Sequence, residues 1–595
     1  MTGGEHYDVV IVGAGISGSL LAKALTRAGL RVLILEAGPA SAWSFKGYSG
    51  HLQHFYSASS KGPEAAWPPA ANAPQPDTAD LRSSNGYFIQ KGPDKYASSY
   101  SRLQGGSTLH WLGVSLRMLP EDFELHTRYG VGQDWPLRYS DLEPYYRQAE
   151  REIGVAADVV DQAHLGVTFP EGYDYPMRRI PPSYSDQLLA AAIDGMRVTL
   201  GSEQIGLKIR NYPAARNSTP RDGYVPVGAV DERGDGQPAI LDLGQRCQGN
   251  SSCTPICPVQ AKYNAGRSLA QADPTRLRIL AQAVASRIHV DPISGAVERI
   301  EYQRYEDPDS PRHSVHQATA RTYVLAAHAV ENAKLMLASG LGGGSGLLGK
   351  RLMDHPCLYA WGLAPLSIGA YRGPLSTAGV DDLRGGPFRS QHAAFRFDIG
   401  NDGWRATTGA PDTTVTDAVT NRKLYGKGLR TYLEDILPRH LRFSLAVEQL
   451  PSVDNKVTID PAYVDQLGNP RPVITYRIDE YTLAGMVAAT EVYRALFRRA
   501  GIVDCTNPDE GAWFPSVTYG DRVFHYHGMG HFAGTHVMGR SSDTSVVDMD
   551  QRSWEHRNLF LVGAGSFPTM GTSNPTLTLA ALALRTAERM LAELM

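Results

Sequence analysis

The sequence predicts an α/β protein in which a Rossmann-like nucleotide-binding domain, discontinuous in the chain, is joined to an α+β domain built on an antiparallel sheet. Three observations predict it. A glycine-rich strand–turn–helix–strand unit opens the chain; strand and helix alternation returns around 240–340 and again near the C-terminus; and 360–520 carries alternating segments such as HAAFRFDI, LRFSLAVEQL and NKVTID, which suit antiparallel strands. At 595 residues the chain exceeds one ordinary core, given about 150 residues per domain. The first unit is placed at 1–125, 240–350 and 520–595, the second at 126–239 and 351–519.

The first strand is YDVVIV, 7–12, apolar and β-branched. GAGISG turns the chain into a helix with Leu21 and Leu25 one turn apart, Gly29 stops it, and RVLILE is the second strand. Gly13, Gly15 and Gly18 stand in the G-x-G-x-x-G register, with Glu36 closing the second strand. Gly13 makes the tight turn, Gly15 lets the backbone approach a pyrophosphate at the helix N-terminus, Gly18 allows close helix–strand packing, and the Glu36 carboxylate accepts ribose hydroxyls. This fingerprint fits FAD and NAD alike.

From 38 to 104 the chain is rich in Gly, Pro, Ser and aromatics, which reads as a long lid or contact arm. Helical patterning resumes at YSDLEPYYRQAEREIGV, 139–155, with Ser140 expected as N-cap and Glu143 three residues on. RLRILAQAVASRI and RTYVLAAHAVENAKLMLASG restore the strand and helix alternation of the first unit.

Lys and Arg number 58 against 61 Asp and Glu, a net charge of −3, so no electrostatic footprint for nucleic acid or an anionic membrane is expected. The N-terminus has no basic leader, and its apolar run is too short for a membrane span, giving a cytoplasmic expectation. Five cysteines in so long a chain do not make a disulfide scaffold. Three of them, Cys247, Cys253 and Cys257, cluster in CQGNSSCTPIC and read as ligands or reactive thiols. A zinc site would want a fourth ligand, and no His or further Cys lies within ten residues of them; a disulfide would leave one thiol over.

Further stretches carry a resemblance. RLQGGSTLHWLG (102–113), DWPLRYSDLEPYYRQAE (134–150), LLGKRLMDHP (347–356), GHFAGTHVMG (530–539) and LFLVGAGSFPTMGTSNPTLTLAALALRTAE (559–588) follow one another as in the glucose-methanol-choline (GMC) family of flavin alcohol oxidoreductases, which the chain resembles along nearly its whole length. It departs from the family at Gly563, where an Asp is common, and at HAVENAKLMLASG, which lacks a Ser/Thr-Pro pair. Within the family it most resembles bacterial FAD-dependent sugar dehydrogenase catalytic subunits and pyranose oxidases.

The resemblance implies FAD as cofactor and oxidation of an alcohol on a sugar, polyol or glycoside by hydride transfer to flavin N5. Electrons would then pass to a non-nicotinamide acceptor or redox partner subunit. The alternative is a peroxide-producing pyranose or glycoside oxidase, which differs only in whether oxygen reaches the reduced flavin. By resemblance, His531 is the base and Asn574 its partner on the same substrate oxygen; a neutral imidazole suits the first role, and a non-titrating amide the second. His536 is read as structural. Gly105, Gly106, Val284, Gly563, Pro575 and Thr576 are carried over as cofactor contacts, and Gln449 as a substrate contact. His110 in STLHW matches the histidine that contacts or tethers the flavin in pyranose oxidases, although Leu109 stands where they have Thr. The segment PVQAKYN after the clustered cysteines resembles that of sugar dehydrogenases with a 3Fe-4S cluster, which makes Cys247, Cys253 and Cys257 its expected ligands; a cluster-free loop kept for its shape is the competing reading. A partner with its own signal would shift the expected location to the periplasm.

Overall fold

The computed structural model describes residues 6–40, 73–76, 86–221, 224–226, 246–247, 253, 257, 260–371, 375–404, 412–506 and 514–595. Most of the expected lid at 38–104, residues 41–72 and 77–85, lies outside the described residues.

Five parallel strands form the first sheet, in the order Leu559–Leu561, Ala320–Leu325, Tyr7–Val12, Val32–Leu35, Leu277–Leu280. The first strand is almost wholly buried, as its unbroken apolar run demands of a strand covered on both faces. From it the chain steps outward to Val32–Leu35 on one side and later to Ala320–Leu325 on the other, leaving a crevice at the strands' carboxyl ends where such sheets bind ligands. The helix Ile16–Arg27 packs against the C-terminal helix Pro575–Leu594, which also packs on Tyr139–Glu152. The helix Tyr139–Glu152 is capped two residues before the expected Ser140. Arg138 is its N-cap residue, and Asp141 rather than Glu143 reaches back, accepting the Arg138 N–H at 2.8 Å. Glu143 pairs instead with Arg147 at 3.1 Å and Arg117 at 3.4 Å.

The second large sheet is antiparallel. Its central strands are Pro356–Leu363, His440–Val447 and Phe395–Gly400, extended by Val503–Asp504 on one side and Ala378–Val380 and Ile209–Asn211 on the other; His527–Gly528 also pairs with Pro356–Leu363. The helix Glu480–Ala500 covers one face, burying Leu483, Met486, Leu496 and Phe497. The α/β class with a parallel nucleotide sheet and an antiparallel second sheet is the one the sequence predicts. Among the described residues, no helix is long and apolar enough to cross a membrane.

Candidate active site

A cavity of about 650 Å³ runs from the carboxyl ends of the parallel strands to the face of the antiparallel sheet. Its first end is built from backbone. Gly13 follows the first strand with φ +102°, and a Cβ there would lie 2.6 Å from the Ala326 carbonyl oxygen. Gly15 is the N-cap of the helix Ile16–Arg27, and nothing lies within 4 Å of where its Cβ would be, so the helix N-terminus opens into the cavity. Gly18 does not line the cavity but lets the helix press on the turn: a Cβ there would come 2.1 Å from the Gly13 carbonyl oxygen. The Gly105 N–H donates to the Ala14 carbonyl at 3.1 Å, and Gly106, at φ +56°, lies against Gly15. Glu36 lines the cavity. Its Oε2 accepts the Ala14 N–H and its Oε1 the Gly38 N–H, both at 2.9 Å, which fixes the carboxylate at the cavity wall.

Val284, Gly563, Pro575 and Thr576 also line this cavity. Gly563 sits at φ +103°, a conformation an Asp would adopt only with strain. Pro575 opens the C-terminal helix, whose first N–H groups lack intrahelical acceptors and carry the positive end of its dipole. His110 lines the cavity with its Nε2 buried and, among the described residues, unpartnered; burial, then the nearby Lys262, lowers its pKa to about 3, so it is neutral. A glycine cradle at a helix N-terminus, an acid at the ribose position and an orphaned imidazole nitrogen together fit FAD.

His531 and Asn574 line the same cavity, with Nδ2 of Asn574 3.2 Å from Nε2 of His531. Their hydrogen bonds fix the protons. Gly571 O, 2.8 Å from His355 Nε2, can only accept, so Nε2 of neutral His355 carries the proton and its Nδ1 is an acceptor. His531 Nδ1, 2.8 Å from that atom, must therefore donate, which leaves Nε2 of His531 as an unprotonated acceptor, its lone pair facing Asn574 Nδ2. Asn574 is oriented to match: its Oδ1 accepts from Arg396 Nη2 at 2.9 Å, which turns its NH₂ toward His531. Burial, then His355 and Arg396, hold the His531 imidazole well below its ordinary pKa. Asp354 ties the two histidines together, its Oδ1 accepting the N–H of His355 at 2.7 Å and of His531 at 3.0 Å.

The sequence reading did not pick out His355, Asp354 or Arg396. Asp354 and His355 sit in the quoted LLGKRLMDHP, and Arg396 with Asp398 forms an i, i+2 charge pair inside the apolar strand HAAFRFDI. Both signals were available. His536 is buried away from the cavity, 3.3 Å from Asn332 Nδ2, as a packing residue would be.

One expectation needs correction, and another finds no support. Gln449 does not line the cavity; its Oε1 is taken by the Asp354 N–H at 3.0 Å and the Tyr476 hydroxyl at 3.1 Å, so it braces the His355 segment from behind. The 3Fe-4S reading finds no support, since among the described residues no three Cys, His, Asp or Glu side chains form a group that could hold a metal ion. Cys253 and Cys257 are buried near the Lys262 ammonium, which donates to the carbonyls of Trp111 and Cys253, while Cys247 packs in the cluster around Tyr224.

Residues 201–357 and 451–583 match the GMC oxidoreductase family, and residues 8–196 match FAD dependent oxidoreductases. The fructose dehydrogenase large subunit of Gluconobacter japonicus is 32% identical over 99% of this chain and 98% of its own. The 2-methyl-1,2-propanediol dehydrogenase of Mycolicibacterium austroafricanum is 25% identical over 99% and 95%. The crystal structure of pyridoxine 4-oxidase from Mesorbium loti superposes with a TM-score of 0.58 over 98% of this chain and 99% of that one, at 16% identity.

Proposed function

The chain belongs to the GMC oxidoreductase family and is an FAD-dependent alcohol oxidoreductase, and we propose that it oxidises an alcohol group of a sugar, polyol or glycoside with His531 as base. The observation that carries this reading is the unprotonated Nε2 of His531, held at the cavity wall against the NH₂ of an oriented Asn574. FAD, when bound, supplies the hydride acceptor. The chain's own residues handle the proton. A substrate hydroxyl entering between His531 and Asn574 would replace their 3.2 Å contact, donating to Nε2 and accepting from Nδ2. Once His531 has taken the proton, its Nδ1–H donates to His355, and the Gly571 carbonyl accepts from His355 in turn, so the new charge is shared along a fixed line. His110, with its bare Nε2, and the Cβ-less surface of Gly106 contact the flavin in this reading, while the Gly105 and Gly106 N–H groups, bonded to the Ala14 and Leu103 carbonyls, hold the loop in place.

Electrons pass to a non-nicotinamide acceptor. The Gluconobacter relative is named a dehydrogenase and a large subunit, and this supports a partner subunit here. The test is His531→Ala, assayed by dye reduction and oxygen uptake on a panel of D-glucose, D-fructose and D-sorbitol. FAD content should hold while turnover falls by ~10²–10⁴. Near-normal turnover would remove His531 from the chemistry, and wild-type peroxide formation as fast as dye reduction would replace the acceptor with oxygen.

A further inference from the structure

Beyond Asn574 the cavity is floored by three neighbouring strands of the antiparallel sheet. Their register sets side chains in rows. Arg396, Ala446 and Cys357 form the first, beside Asn574; Asp398, Ser444 and Tyr359 the second; Gly400, Arg442 and Trp361 the third. Successive rows lie about 7 Å apart along the strands.

The missing side chain at Gly400 makes room for Arg442, since a Cβ there would meet its Nη2 at 2.7 Å. Arg442 donates to Asp402 Oδ1 from Nη2 at 2.9 Å and from Nε at 3.3 Å, donates to Ser444 Oγ, and lies over the Tyr359 ring. Arg396 closes on Asp398 in the same way. The two cations therefore already have carboxylate partners. Two groups are left over: Oδ2 of the buried Asp402 and the Tyr359 hydroxyl have no hydrogen-bond partner among the described residues, and both side chains line the cavity. Both groups face the cavity, where a ligand hydroxyl can take the place of water as their partner.

We propose that this floor is a subsite for the non-reacting hydroxyls of an uncharged polyhydroxy substrate, one hydroxyl donating to Asp402 Oδ2 and a neighbouring one bonding to the Tyr359 hydroxyl. The proposal rests on the reading that the substrate is carbohydrate-like, and adds what selects it. A sugar acid is disfavoured, because its carboxylate would meet Asp398 and Asp402 with Arg396 and Arg442 already paired.

The experiment compares wild type, Tyr359→Phe and Asp402→Asn as FAD-loaded enzymes on D-glucose, D-fructose, D-sorbitol, D-gluconate and cyclohexanol, with FAD content and melting temperature as checks on folding. Tyr359→Phe should raise KM for the best sugar about threefold to tenfold, the worth of one hydrogen bond, with kcat within about threefold by the same reasoning that the lost bond lies away from the reacting carbon. Asp402→Asn should raise it further, and wild type should use D-gluconate far less efficiently than the best neutral sugar. Turnover of sugars with KM unchanged in a folded Tyr359→Phe, or a preference for D-gluconate, overturns the subsite and leaves the carbohydrate reading standing. Wild-type turnover confined to cyclohexanol overturns the carbohydrate reading, and the subsite with it.

Discussion

The two ends of the cavity are made of different material. The nucleotide end is backbone: Gly13, Gly15 and Gly106 around a helix N-terminus, where the absence of side chains is the functional property. The substrate end is side chain: Arg396, Asp398, Asp402 and Arg442, drawn from two strands and the turn after one of them, each charge answered by another. A backbone site tolerates no added atom, whereas an ion-paired site tolerates changes of shape but suffers when one partner is removed, because the other is left buried and uncompensated. Substitutions at the two ends should therefore fail in different ways.

The largest effect is expected at Gly18. A Val side chain would have to displace the Gly13 carbonyl, 2.1 Å from the new Cβ, in the turn that forms the cradle. Overpacking of this kind costs ~1–3 kcal/mol or more when backbone must move, so Gly18→Val should purify without yellow colour and melt several degrees lower. Ser444→Ala, at the other end, should keep its full complement of FAD. Equal flavin loss in both would erase the distinction between the two ends.

A smaller effect, confined to the proton, is expected at His355. His355→Phe removes the acceptor that fixes the His531 tautomer, and turnover should fall about tenfold to a hundredfold, or ~1.4–2.7 kcal/mol, with FAD content and KM nearly unchanged. His355→Gln, which can still accept from His531 and donate to Gly571, should recover part of the loss. A purely structural role would show no such rescue. The sign of the pH effect follows from burial: a folded pKa below the ordinary value keeps the His531 base unprotonated as pH falls. In wild type kcat/KM should therefore stay level from pH 8 through 6.5 and drop only at lower pH. An acid limb centred at 6.5 would show an exposed, unperturbed histidine instead.

The same difference in material explains how much the sequence revealed. The cradle is local in sequence: Gly13, Gly15 and Gly18 lie within one turn and helix start, and their spacing alone predicts their geometry, which the structure bears out. The parallel sheet and its antiparallel counterpart were likewise legible, because periods of two and of continuous apolar residues are written into the strands themselves. The proton line was only half legible. His531 and Asn574 came from resemblance, while His355 reaches them across 176 residues of sequence, a contact no spacing encodes. The three cysteines were legible only as proximity in sequence: among the described residues no group of three Cys, His, Asp or Glu side chains that could hold a metal ion is formed, so the ligand reading finds no support in the fold.

Gln449 gives the smallest and most discriminating effect, since sequence placed it at the substrate and the structure places it one layer behind. If its work is to accept from the Asp354 N–H and the Tyr476 hydroxyl, then Gln449→Met, close in volume and without the acceptor, strands two buried donors. Each unsatisfied group costs ~1–3 kcal/mol, part of which local relaxation recovers, so the melting temperature should fall. Because Asp354 holds the backbones of both histidines, kcat should fall modestly with it. KM for the best sugar should stay within about twofold, since no substrate hydrogen bond worth ~1 kcal/mol is lost. The opposite pattern, an unchanged melting temperature with KM raised tenfold or more, would return Gln449 to the substrate and extend the ionic floor of the cavity to a side chain now assigned to its support.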